Sequence, residues 1–234
     1  MKVKTINKFK TELPKKSAFT IETDPDFLKL HTLCIASGKR GGGKSCAIAN
    51  LVKKAKEQGY YDKVYLITPT YNSNKQIWDI ADIDEEDVFE PDMGVLKTII
   101  KNVEAEKAEW DAFLGRKKLL AKFKRDMKDT PFNKIGSNDL VDYLDSGFFD
   151  PTFNDKWKYK NEVPPRLAVI VDDSLGTDLM ARRTAGLTNL CIRHRHIADG
   201  LGISIFMLVQ SYCAQGGVAR AIRENCTHLL LFRI

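Results

Sequence analysis

From residue 30 onward the chain alternates short apolar runs with stretches whose apolar residues recur at helical spacing. Thr32 to Ala36 is an apolar run ending in Ser37-Gly38, which predicts a strand and then a turn. Ala47, Ile48, Leu51, Val52 and Ala55 recur at helical period and predict a helix over Ser45 to Glu57, closed by Gly59. Val64 to Ile67 reads as a second buried strand, stopped by Thr68-Pro69. Strand, turn, helix and strand in that order make a βαβ-type unit. The pattern resumes at Leu167 to Val171, the most strand-like run in the chain. It continues with a helix from about Leu179 to Ile197, a strand over Ile203 to Val209, a short helix over Val218 to Glu224 and a last strand over His228 to Phe232. The expectation is an α/β fold with a mostly parallel central sheet flanked by helices.

Two stretches depart from this rhythm. Residues 1–30 are polar and basic, with one candidate edge strand at Ala18 to Glu22. Residues 72–162 are acidic from Asp82 to Glu90 and strongly helical from about Val95 to Met127. From Asp129 to Pro165 they are rich in turn formers and aromatics. They read as a mainly helical insertion into a core that spans 31–234. Its lysines, from Lys117 to Lys128, fit either a solvated helical face or a nucleic-acid contact.

Composition narrows the class. An apolar fraction of 43% and a charged fraction of 29% are those of an ordinary globule. No apolar run approaches the roughly 18 residues of a membrane span. The basic N-terminus has no apolar stretch after it, so it does not read as a secretory signal. Net charge is +6, a modest excess that suits an anionic partner. The five cysteines are odd in number and none sits at C-x-x-C spacing, so they read as thiols of a reducing cell interior. Four histidines without matching cysteines or carboxylates give no zinc signature.

The chemistry concentrates after the first strand. Gly38-Lys39-Arg40-Gly41-Gly42-Gly43-Lys44-Ser45 fits the pattern G-x-x-x-x-G-K-[ST] between a strand and a helix. Glycines let successive backbone N–H groups converge on phosphate oxygens, and the helix start aims its positive end at them. Lys44 is expected on the outer phosphates and Ser45 on Mg²⁺. With Cys46 in the first helical turn, residues 38–46 are the expected ATP-binding stretch.

Val169-Ile170-Val171-Asp172-Asp173 is a buried strand ending in two carboxylates. Asp172 is expected to hold Mg²⁺ and Asp173 to polarise the attacking water. Leu208-Val209-Gln210 ends the next strand, where a neutral amide can orient that water. Arg193-His194-Arg195-His196 closes the long predicted helix. His194 falls on its apolar arc and reads as a packed, hydrogen-bonded ring. Arg193 and Arg195 flank that stripe; either is a surface charge or an arginine finger for a neighbour's terminal phosphate, with Arg220 and Arg223 as rivals.

The ordered set of Gly38-to-Ser45, Thr68-Pro69-Thr70-Tyr71, Asp172-Asp173, Arg193-to-His196 and Gln210 resembles the genome-packaging ATPases of large double-stranded DNA viruses and virophages. These are the poxvirus-type branch of the FtsK–HerA group. The resemblance covers about residues 30 to 234 apart from the insertion. It implies a RecA-like (ASCE) P-loop NTPase: an oligomeric, Mg²⁺-dependent ATPase ring driving double-stranded DNA into a capsid. Capsid or portal proteins would be its partners, in the host cytoplasm, a viral factory or the virion. Lys44, Ser45, Asp172, Asp173 and Gln210 match the family's functional positions. The Arg-His signature is doubled here, and Ala198 to Gly202 is extra sequence before the strand. A P-loop kinase with residues 72–162 as a lid, and a nucleotide-gated scaffold with little turnover, are the alternatives.

Overall fold

A computed structural model describes residues 27–92, 94–181, 186–213 and 217–233. The expected strand Ala18 to Glu22, and the basic segment before Phe27, lie outside the described residues. In chain order the elements are β1 (Leu33–Ser37), α1 (Lys44–Glu57), β2 (Lys63–Ile67), α2 (Tyr71–Trp78), β3 (Val88–Phe89), α3 (Val95–Asp129) and α4 (Ser137–Asp145). There follow β4 (Leu167–Asp172), α5 (Asp178–Ala181), α6 (Leu187–Arg193), β5 (Ser204–Val209), α7 (Arg220–Asn225) and β6 (His228–Leu231).

The six strands form one sheet in the order β3-β2-β4-β5-β1-β6, and every neighbouring pair is parallel. β1, β4 and β5 are buried along their whole length, as a parallel sheet covered on both faces requires. Alternate residues feed two cores. Leu33, Ile35, Tyr65, Val169 and Ile205 face the start of α3, with α6 and α7. Cys34, Ala36, Leu66, Ile170 and Phe206 face α1 and Trp78 of α2. This six-stranded, all-parallel architecture flanked by helices is consistent with a RecA-like fold.

The topology fixes where loops lie. Each crossover between parallel strands leaves one strand at the carboxyl edge of the sheet and enters the next at the amino edge. The residues after β1, β2, β4 and β5 therefore share the carboxyl edge.

Two elements differ from the sequence reading. The single helix expected over Leu179 to Ile197 is divided into α5 and α6, with Gly186 at φ 74° immediately before α6. Residues 72–162 are mainly helical but begin inside the fold: β3 pairs with β2, and Val95, Leu96, Ile99 and Val103 of α3 belong to the main core. Only beyond them does α3, 35 residues long, enter a second, aromatic cluster. There Trp110 and Phe113 meet Trp157, and Phe123 meets Tyr143, Phe148 and Phe149.

Candidate nucleotide site

The turn after β1 is tied down on both sides. Gly38 N–H donates to Val209 O of β5 at 3.2 Å, and Lys39 N–H donates to Arg233 O, just beyond β6, at 3.2 Å. Gly41 and Gly43 take φ values of 74° and 86°, where a side chain is strained, and a Cβ at either would meet open space. Those glycines leave an open, backbone-lined rim at the mouth of α1, the form an anion cradle needs. Lys44 is buried, and its Nζ donates to Gly38 O at 2.7 Å and Lys39 O at 3.0 Å. An ammonium has three protons, so one remains for the cleft.

Strand register brings the other groups to the same edge. Asp172 is opposite Leu208, and Ser37 is opposite Val209, so Asp172, Gln210 and the loop start are neighbours across three strands. Ser45 Oγ donates to Asp172 Oδ2 at 3.1 Å. Burial pushes the Asp172 carboxyl up to about 6; the Ser45 hydrogen bond and Lys44 pull against that, and Asp173 adds to it. Asp173 has a left-handed backbone, φ 48°, that turns its carboxylate away from the strand path, and its Oδ1 accepts from Gln210 Nε2 at 3.0 Å.

These groups line a cleft of about 460 Å³ with Arg40, Gly41, Gly42, Gly43, Lys44, Ser45, Cys46, Asp172, Asp173 and Gln210 on its walls. That volume suits a nucleotide-sized ligand. Gly38 and Lys39 sit behind the wall and contribute their carbonyls to Lys44. Ser45 Oγ and Asp172 Oδ2 are hard oxygen donors within contact of one another, which fits Mg²⁺. Among the described residues no group of three or more His, Cys, Asp or Glu could hold a metal. A Mg²⁺ here would thus take its remaining ligands from phosphate oxygens and water, its usual habit.

Arg193 and Arg195 are not brought to this cleft. His194 between them is buried, its Nδ1 2.6 Å from Cys191 O and its Nε2 3.2 Å from His31 O, carbonyls to which a ring N–H donates, and its backbone O accepts from Ile203 N–H. His31 precedes β1 and Ile203 precedes β5, so this cluster marks the amino edge of the sheet. The phosphate loop lies at the far end of β1, roughly 15 Å away by strand rise. The sequence expectation is a finger for a neighbour's phosphate; within one chain Arg193 and Arg195 sit at the amino edge, away from this cleft. Arg223 lies nearer, its Nη1 at 3.0 Å from Cys213 Sγ and its guanidinium over the Tyr212 ring, in the loop after Gln210. Arg220 pairs with Glu224 on the α7 surface.

The sequence reading gave no role to one part of the cleft wall. Thr70, from the quoted Thr68-to-Tyr71 motif, lines it with Ser73, Asn74 and Ile77 of α2.

No known protein family matches this chain, and no curated protein matches it in sequence. Among solved structures, the cytoplasmic domain of EssC is similar at 15% identity with a TM-score of 0.46, over 86% of this chain and 32% of that one. The chain thus spans about a third of that protein's length, and no functional statement follows from so distant a likeness.

Proposed function

We propose that this protein is a Mg²⁺-dependent ATPase of the P-loop class. One observation carries the reading: Ser45–Asp172 and Gln210–Asp173 are hydrogen-bonded pairs at one edge of the sheet, both on the wall of the cleft that holds the glycine loop and Lys44. A phosphate loop alone binds; two carboxylates at graded depth beside it, one held by a hydroxyl and one by an amide, can also divide metal binding from proton transfer.

In this mechanism the loop N–H groups and Lys44 hold the outer phosphates. Mg²⁺ bound by Ser45 and Asp172 would neutralise charge on the terminal phosphate oxygens. Asp173 accepts a proton from a water as that water's oxygen bonds to the terminal phosphorus and the bridging P–O bond breaks. Gln210 holds the Asp173 carboxylate at 3.0 Å and presents its amide oxygen to the same water. ADP and phosphate leave.

The finer reading is a motor that moves double-stranded DNA into a viral capsid as a homo-oligomeric ring. Its support is the sequence resemblance, together with the sheet order. β5 stands between β1 and β4, so the acid pair reaches the loop across an intervening strand, as the RecA-like reading requires. The test is ATP turnover with and without double-stranded DNA. Stimulation by DNA supports the motor. DNA-independent phosphoryl transfer to a small acceptor identifies a kinase, and nucleotide binding without turnover in either assay identifies a scaffold.

A further inference from the structure

The α2 wall holds an ordered set of neutral hydrogen-bonding groups. Register places it on the acid side of the cleft: Ile67 of β2 is opposite Val171 of β4, so Thr68 stands level with Asp172. Thr68 is buried, and its Oγ1 accepts from Thr70 N–H at 3.3 Å and lies 3.2 Å from Thr70 Oγ1. Asn74 Nδ2 donates to Thr70 Oγ1 at 3.1 Å. Asn74 itself leaves helical geometry, at φ −117° and ψ 15°, and lines the cleft with Thr70 and Ser73.

Proton bookkeeping sets a direction. Asn74 must donate to Thr70, because its Nδ2 carries only donors. The Thr68–Thr70 hydroxyl pair can share its hydrogen in either sense. In the sense in which Thr68 donates, both lone pairs of Thr70 Oγ1 are occupied and its own hydrogen is left for an acceptor in the cleft that Thr70 and Asn74 line with Asp172 and Asp173. An anionic oxygen is the acceptor that such a donor suits.

Resting on the nucleotide reading above, we propose that Thr70 is a terminal-phosphate contact: its hydroxyl donates to a γ-phosphate oxygen from the side opposite Lys44, with Thr68 and Asn74 as the positioning residues that aim it. A donor fixed before the reaction stabilises charge growing on that oxygen without reorganisation. The site also gains a means to tell triphosphate from diphosphate, since ADP lacks the oxygen that Thr70 addresses.

The experiment compares wild type with Thr70→Val, Thr70→Ser and Asn74→Ala, all checked for folding by circular dichroism. Steady-state turnover is read with affinity for ADP and for a non-hydrolysable ATP analogue. Expected for Thr70→Val is a kcat lower by about 10²-fold, unchanged ADP affinity, and a smaller preference for the ATP analogue over ADP. Thr70→Ser, which keeps the hydroxyl, should restore most turnover, and Asn74→Ala should lose turnover in the same direction as Thr70→Val. Wild-type turnover and preference in Thr70→Val overturn the proposal. So does equal loss of ADP and ATP-analogue affinity without rescue by Thr70→Ser, which makes the wall structural. If the wild-type protein binds no nucleoside triphosphate, the nucleotide reading itself fails and the proposal with it.

Discussion

Gln210 and Asp173 each lie one residue past the end of adjacent strands, β5 and β4, and are joined at 3.0 Å from Nε2 to Oδ1. The amide thereby fixes one carboxylate oxygen and leaves the other free for water. Gln210→Ala should keep nucleotide affinity and reduce kcat by about 10²-fold, the scale of a misplaced general base. Gln210→Glu should fare worse, because two carboxylates would then compete for one proton. Steady-state kinetics beside equilibrium nucleotide binding decide it; an affinity loss matching the rate loss would place Gln210 in ground-state binding.

Lys44→Ala should abolish ATP binding or turnover while the fold survives. Its ammonium donates to the loop's own carbonyls, Gly38 O and Lys39 O, and the residue belongs to neither apolar core. Thermal unfolding and ATPase activity should separate cleanly in this variant. Full activity would remove the basis for the phosphate loop.

Asp172 sets a pH limit. Burial raises its carboxyl to about 6, so the charged form that binds Mg²⁺ is lost as pH falls through that value. Turnover should show an acid limb with an apparent pKa near 6. Because metal and proton compete for one carboxylate, that limb should move to lower pH as Mg²⁺ rises. The linked effect on stability has the opposite sense. A carboxyl raised in the folded state favours folding while protonated, so that contribution fades as pH climbs from the ordinary carboxylate range through about 6. An acid limb indifferent to Mg²⁺ would assign the titration elsewhere, Asp62 among the choices, since burial also raises its carboxyl to about 6.

Arg195 lies at the amino edge beside His31, where it helps lower the His31 pKa. Arg195→Ala should therefore leave turnover within about threefold, far from the 10³- to 10⁵-fold that an arginine finger supplies. Mixing Arg195→Ala with Lys44→Ala subunits tests the alternative directly. Recovery of activity in the mixture would show that a neighbouring chain brings its amino edge to this cleft.

Gly38 sets the loop's height above the sheet. A Cβ there would stand 2.7 Å from Phe232 Cβ, closer than carbon atoms pack. Gly38→Ala should cost about 1–3 kcal/mol of stability, the scale of overpacking, and should lower nucleotide affinity as the loop is displaced. Denaturant melts with ligand titration check both.

Much of the site could be read in the sequence because each part is a local pattern. The glycine loop sits between a strand and a helix, and Asp172 and Gln210 each end a buried run. What escaped depends on distant pairing. Val88–Phe89 is too short to show a period and becomes a strand only through β2. At the start of α3, Val95, Leu96, Ile99, Ile100 and Val103 recur at helical spacing, but that pattern marks a buried stripe without saying that it packs on the sheet rather than within an insertion. Thr68-Pro69-Thr70-Tyr71 is part of the ordered motif set, but nothing in it gives Thr70 a role, and Asn74 carries no signal, until register sets them beside Asp172. The Arg193–Arg195 placement was recoverable: a helix linking two parallel strands must end at the amino edge, whatever face its periodicity gives. Periodicity reports which side of a helix is buried and says nothing of which end meets the site.

The long helix α3 joins two separately packed bodies. Its first turns are clamped in the main core beside β2 and β3, and its later turns in the aromatic cluster. At 1.5 Å per residue its 35 residues make a rod about 52 Å long, so a tilt of about 5° at the clamped end carries the far end roughly 4–5 Å. The clamp adjoins the strand whose exit leads to Thr70. A shift of β2 that tilted the clamped end of α3 would be read at its far end as a displacement the size of a side chain.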